Sequence, residues 1–181
     1  NNSGVQVARN AGLSKARGEK IIFFDSDDKF YFDKIKILED IKIESVGFCL
    51  PDIIHIVNDN LKKRRPIRSQ IIRSYTRAPA PTSFLIFNKL FLDRNDISFD
   101  TNLLSSHDDD IYFNCLLNNS KPIKISHWGG FIHHDGSRIT TSSKYKLGRK
   151  QFLEKYQYKK IMPKLFLISE LLLVKFLLKY G

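Results

Sequence analysis

The 181-residue chain has two cysteines, Cys49 and Cys115, one methionine, one tryptophan, 9 glycines and 6 prolines. Two sulfurs so far apart in sequence exclude a disulfide scaffold or a four-sulfur zinc site, and a reducing compartment is the default. With little glycine or proline, and with 42% hydrophobic and 12% aromatic residues, the chain is neither low-complexity nor wholly disordered and can bury a core. Its length suits one domain, or one domain and a tail. The first residue is Asn1 rather than methionine, so a processed product or a fragment is expected. No internal repeat is found.

Acidic residues are also scarce, 19 against 30 lysines and arginines, for a formal net charge of +11. The excess is local: residues 62–77 carry +7 and residues 141–181 carry +8, which leaves the rest at −4. A negative body with two basic segments is unlike a uniformly basic nucleic-acid binder, and no nucleic-acid partner is expected. Either segment could meet phosphate or an anionic membrane, or be a solvated lysine-rich face.

Apolar and small residues at Val5, Ala8, Gly12, Leu13 and Ala16 share one stripe of a helix over roughly 5–17, with Gly18 placed for a left-handed cap. The run from Lys20 to Phe24 reads as a strand buried on both faces, ending in Asp25-Ser26-Asp27-Asp28. A helix near 31–42 and a strand at 53–57 follow. Ala78-Pro79-Ala80-Pro81 marks a loop, and an apolar pattern resumes from Ser83 to Asp93. Asp108-Asp109-Asp110 opens an apolar helical segment, and Ile123 to Ile125 is strand-like. His133 and His134 fall in a loop-like stretch, and from Lys144 onward the chain is basic and helical.

Three carboxylates within four residues at the carboxyl end of a buried strand repel one another unless a cation or a ribose satisfies them. Oxygen-only ligands suit magnesium or manganese on a diphosphate. The tetrad alone equally allows Asp28 to cap the next helix while the others face water. Asp108, Asp109 and Asp110 could cap a helix or supply a general base. A neutral imidazole from the His133-His134 pair could complete a metal site, though adjacent histidines are common on plain surfaces, and zinc is not suggested. His55, His107 and His127 read as structural or solvent-exposed, and Trp128 as core or a sugar platform.

In order, these pieces resemble the family 2 glycosyltransferases, an inverting group with an A-type nucleotide-sugar fold. Residues 2–13, NSGVQVARNAGL, and 16–28, ARGEKIIFFDSDD, are similar to the family's N-x-G-x-x-x-A-R-N-x-G and A-x-G-x-x-I-x-F-x-D-S-D-D. Residues 95–100, NDISFD, then Asp109-Asp110-Ile111-Tyr112-Phe113, resemble N-x-I-x-F-D and E-D-x-x-F, and residues 131–137 resemble Y-R-x-H-x-x-S. Asp109 stands where the family has Glu, and Ile132 where it has Arg.

The resemblance implies an α/β fold: a mixed, mostly parallel sheet flanked by helices, lacking its N-terminal part, with residues 1–140 as a partial catalytic domain and 141–181 as a helical tail. It implies that Arg9 contacts the diphosphate, Asp25 and Asp27 support the strand end and ribose, and Asp28 with His134 holds Mn2+ or Mg2+. Asp110 would be the base toward the acceptor hydroxyl, supported by Asp109. The implied reaction is hexosyl transfer from a nucleoside diphosphate sugar, UDP above all, to a saccharide or lipid-linked acceptor in surface polysaccharide assembly. A basic nucleic-acid or membrane-binding module and a metal-dependent nucleotidyltransferase are the rival readings. The apolar stretch 165–178 is shorter than the roughly 20 residues that span a bilayer, so a cytoplasmic location is expected, with the tail either packed on the catalytic domain or a second subunit or in peripheral contact with the inner membrane face.

Overall fold

The computed structural model describes residues 4–26, 29–30, 37–49, 53–57, 60–63, 78–125, 130–134 and 143–156. Helix α1 (Val5–Lys15) is followed by strands β1 (Lys20–Ile22) and β2 (Lys29–Phe30), the short helix α2 (Ile37–Asp40), and strands β3 (Val46–Cys49), β4 (Ile53–Val57) and β5 (Asn60–Lys63). After a 3-10 turn at Thr82–Phe84 come β6 (Leu85–Asn88), α3 (Lys89–Arg94), α4 (His107–Leu117), β7 (Ile123–Ile125), β8 (Gly130–His134) and α5 (Ser143–Lys155).

One sheet has the order β1-β6-β3-β7 and the other β2-β8-β4-β5. The architecture is the mixed α/β one that the sequence implies, with different proportions. Only β3 with β7 and β4 with β8 pair in parallel among the described residues; the other four pairings are antiparallel. Parallel neighbours need long crossovers, such as the one that brings the chain from Cys49 to Ile123, whereas β4 and β5 are joined across two residues as a hairpin.

The run Phe84-Leu85-Ile86-Phe87 is wholly buried, as befits β6, flanked by a strand on each side. Phe23 packs edge-on against Phe87 and Phe99, at 6.0 Å and 4.8 Å between ring centroids. On α4, Ile111, Phe113 and Cys115 enter the same core, and burial pushes the Cys115 thiol up to about 12.

Helix α5 belongs to this core. Phe152 is fully buried and edge-on to Phe113 at 5.4 Å, and Tyr156 stacks beside both. Gly148 lets the helix approach: a Cβ there would lie 2.2 Å from the Ser105 amide nitrogen. The boundary expected near residue 140 therefore marks no end to the packed body. Residues 157–181, with the apolar stretch 165–178, lie outside the described residues, and no described helix is long and apolar enough to cross a membrane.

Two expectations for α1 are corrected. The helix stops at Lys15 and Ala16 is already extended, since β1 begins at Lys20. Gly18 takes no left-handed conformation; among the described glycines Gly4, at the N-cap, has the positive φ, 92°. The expected apolar stripe inserts only in part, through Leu13 and Ala16. Gln6 and Leu13 are buried, while Val5, Ala8 and Gly12 border an open groove of about 670 Å³ shared with Ile22 and Phe24.

Candidate active site

Asp25 follows the carboxyl end of β1, with its N–H donating to the Ser83 hydroxyl (3.2 Å). Arg9, one turn into α1, donates to Asp25 Oδ1 at 2.8 Å and reaches Asp108 Oδ1 at 3.9 Å. The guanidinium lies over the Phe99 ring, 5.3 Å from its centroid. Asn10, beside it, locks the Phe99 backbone from both sides: its amide donates to the carbonyl (2.8 Å) and its oxygen accepts from the N–H (2.9 Å). The two motif pieces that the sequence places about ninety residues apart thus form one surface around Arg9.

The three acids of α4 have separate partners. N-cap Ser106 is left-handed, with no side-chain cap bond of its own. Thr82 Oγ1 donates to Asp108. Asp109 accepts from the Ala78 N–H (2.8 Å) and from Arg149 (2.7 Å). Asp110 Oδ1 meets Lys155 Nζ (2.8 Å) and accepts from the Tyr156 hydroxyl (2.6 Å).

Exposure separates them further. The Asp108 side chain keeps 42% of its surface open beside Asp25, which keeps 45%. Asp110 is completely buried, and its Oδ2 has no hydrogen-bond partner. Loss of water around its carboxylate raises Asp108 above the ordinary carboxylate range; Thr82 and Arg9 pull it down, and the nearby Asp25 charge adds to the rise. A general base must reach the proton it takes. Asp110, expected in that role, faces α5 instead, and Asp108 faces Arg9.

Desolvation and the Asp110 charge hold the Tyr156 hydroxyl far above its usual range. Burial works to lower Lys155, yet Asp100 and Asp110 together hold it above an ordinary lysine. Asp100 is depressed, first through its hydrogen bond with Lys155.

Asp27 and Asp28 lie outside the described residues, as do Trp128 and His127. His133 and His134 are on a strand, not a loop: Gly130–His134 pairs in parallel with β4, with His133 opposite Ile56 and His134 opposite Val57. The stretch reads as loop-like beside Gly136, but the ladder with residues 53–57 makes it a strand. The same strand is antiparallel to β2, with Lys29 opposite Phe131, so its His134 end lies on the side from which the chain enters β2. Among the described residues no group of three or more His, Cys, Asp or Glu side chains forms a metal site. His107 is structural, in contact with the buried Gln6 amide.

Asn10, Thr82, Arg149, Lys155 and Tyr156 went unassigned in the sequence. Asn10 stands inside the quoted motif, and Thr82 follows the proline loop; Arg149 and Lys155 register there only as tail charge.

A nucleotide-sugar transferase fold of the A type is what these elements define, cut down to part of its sheet. The model of glycosyl transferase family 2 matches residues 1–109, and the chain belongs to that family. No curated protein matches it. Among solved structures it is similar to TarS 1–349 of S. aureus in complex with UDP-GlcNAc (TM-score 0.58, 22% identity, 78% of this chain and 42% of that one). It is also similar to the TarS 1–349 structure whose description names no ligand (TM-score 0.56, 23% identity, 74% and 41%) and to the complex with UDP (0.51, 22%, 74% and 41%). The chain spans about two fifths of the length of these structures.

Proposed function

We propose that this chain forms the catalytic part of an inverting glycosyltransferase that moves a hexosyl group from a UDP-sugar to an acceptor hydroxyl in surface polysaccharide assembly. The observation that carries the reading is Arg9, a cation held between Asp25 at the end of β1 and Asp108 at the start of α4. Family membership and the UDP and UDP-GlcNAc complexes of TarS support the donor class.

In this reading Arg9 orients the diphosphate by charge-assisted hydrogen bonds, and Asp25 and Asp27 hold the ribose end. Asp28 and His134 would hold Mn2+ or Mg2+, which when bound supplies charge to offset the leaving diphosphate. The acceptor oxygen attacks the anomeric carbon from the face opposite the diphosphate. The bond from that carbon to the diphosphate oxygen breaks, its electron pair leaves with UDP, and a carboxylate of the acid turn takes the hydroxyl proton. Asp108 suits this last step better than Asp110, because its side chain is partly open beside Arg9 whereas Asp110 is completely buried.

Calorimetric titration of UDP with Mn2+, and assay of nucleotide release from UDP-sugars, test the reading. Arg9→Ala should weaken UDP binding about tenfold or more, the scale of one charged hydrogen bond. UDP binding indifferent to Arg9 and to metal, or release of pyrophosphate in place of UDP, would overturn it.

A further inference from the structure

On an α-helix successive side chains advance by about 100°, so residues two apart point to nearly opposite sides. Asp108 and Asp110 stand in that relation at the start of α4. Whatever fixes one therefore sets the direction of the other. Asp110 is fixed by α5: Lys155 and Tyr156 both contact Oδ1, at 2.8 Å and 2.6 Å, and the Tyr156 hydroxyl lies 3.2 Å from the Asp110 carbonyl oxygen. Tyr156 packs its ring against Phe113 of α4 and Phe152 of α5, which seats its hydroxyl against the start of α4.

Lys155 also holds Asp100 Oδ2 at 2.8 Å. Asp100 follows Phe99, whose backbone is tied to Asn10 and whose ring lies beneath Arg9. The contacts close a circuit: Arg9 to Asp108, through the acid turn to Asp110, across Lys155 to Asp100, and back through Phe99 to Arg9. Lys155 is the cation that joins its two arms.

We propose that Lys155 and Tyr156 are positioning residues of the acid turn, holding Asp110 inside so that Asp108 is presented to Arg9. This rests on the transferase reading for its activity readout and on no part of it for its structural readout.

The test compares Lys155→Met, Lys155→Arg and Tyr156→Phe in the whole chain, by steady-state kinetics with UDP-sugar donors and by amide hydrogen exchange. Lys155→Met should lower kcat about tenfold or more with donor KM within about twofold, since it misplaces a group without touching the donor. Lys155→Arg should recover most of kcat, because the charge is restored. Amides of residues 109–112 should exchange about tenfold faster in Lys155→Met while those of β6 stay protected. Tyr156→Phe keeps the ring, removes the hydroxyl, and should show a smaller kcat loss of about threefold; it carries the test if Lys155→Met does not fold. Unchanged kcat, or a fall in melting temperature alone that Arg repairs without repairing kcat, would overturn the proposal. So would unchanged exchange at 109–112. If the wild type turns over no UDP-sugar, the transferase reading fails while the exchange result still decides the positioning role.

Discussion

At residue scale, the proposed roles of Asp108 and Asp110 divide chemistry from architecture, and their amide variants should separate in experiment. Asp108→Asn is expected to lose about 10²- to 10⁴-fold in transfer, the usual range for a general base, with donor affinity kept. Asp110→Asn is expected to act on stability first, costing about 1–3 kcal/mol, discounted because the Lys155 side chain stays 33% exposed. Thermal melts beside kcat for both variants check this; a larger transfer loss in Asp110→Asn would return the base to that position. Turnover should fall with acid as Asp108 is protonated, at a pH above its ordinary value of 3.8, because its carboxyl is raised. Asp100 gives the opposite sign. Its folded value is depressed, so its pairing with Lys155 stabilises the fold above the unfolded value of 3.8 and is lost as pH falls through the folded one. Melting temperatures of wild type and Asp100→Asn should accordingly differ at neutral pH and converge in strong acid. The sequence announces three acids at a helix start; which of them meets Arg9 and which is buried against Lys155 and Tyr156, some 45 residues on, is a matter of tertiary packing that no local pattern carries.

At the scale of elements, α5 shows how a charge-rich stretch can hide a structural one. Five basic positions from Lys144 to Lys155 dominate its composition, but Gly148 and Phe152 face inward. Gly148→Ala should cost about 1–3 kcal/mol through overpacking against Ser105, and Phe152→Ala about 3–5 kcal/mol. Urea titration would measure both, and a surface-like response at either position would contradict the packing of this helix. The elements whose own residues carry a clear pattern were legible: α1, β1, β4, the α4 start and β7 stand within a few residues of where the apolar periodicity puts them. Strand β8 was not, because what makes it a strand is the ladder to β4, more than seventy residues earlier.

At the scale of the whole molecule, placing α5 in the core changes how the remaining tail is tested. A cut at residue 144 would remove Phe152 and Tyr156 and is expected to unfold the body. Deleting 157–181 keeps both, so that truncated form should melt cooperatively, and loss of its sedimentation with anionic vesicles at low salt would assign membrane contact to the deleted stretch. Vesicle binding equal to wild type would remove that role. The way α1 is tied down bears on the order in which the chain can assemble. The partners of Asn10 and Gln6 lie 89 and 97 residues further along, and closing loops of that length is an entropic cost met before any contact repays it. During synthesis at about 5–20 residues per second, α1 therefore waits several seconds for Phe99 and Leu103 to emerge. Over that interval Leu13 and the apolar face of β1 have no native cover, which makes this stretch the nascent chain's exposure to chaperones and proteases.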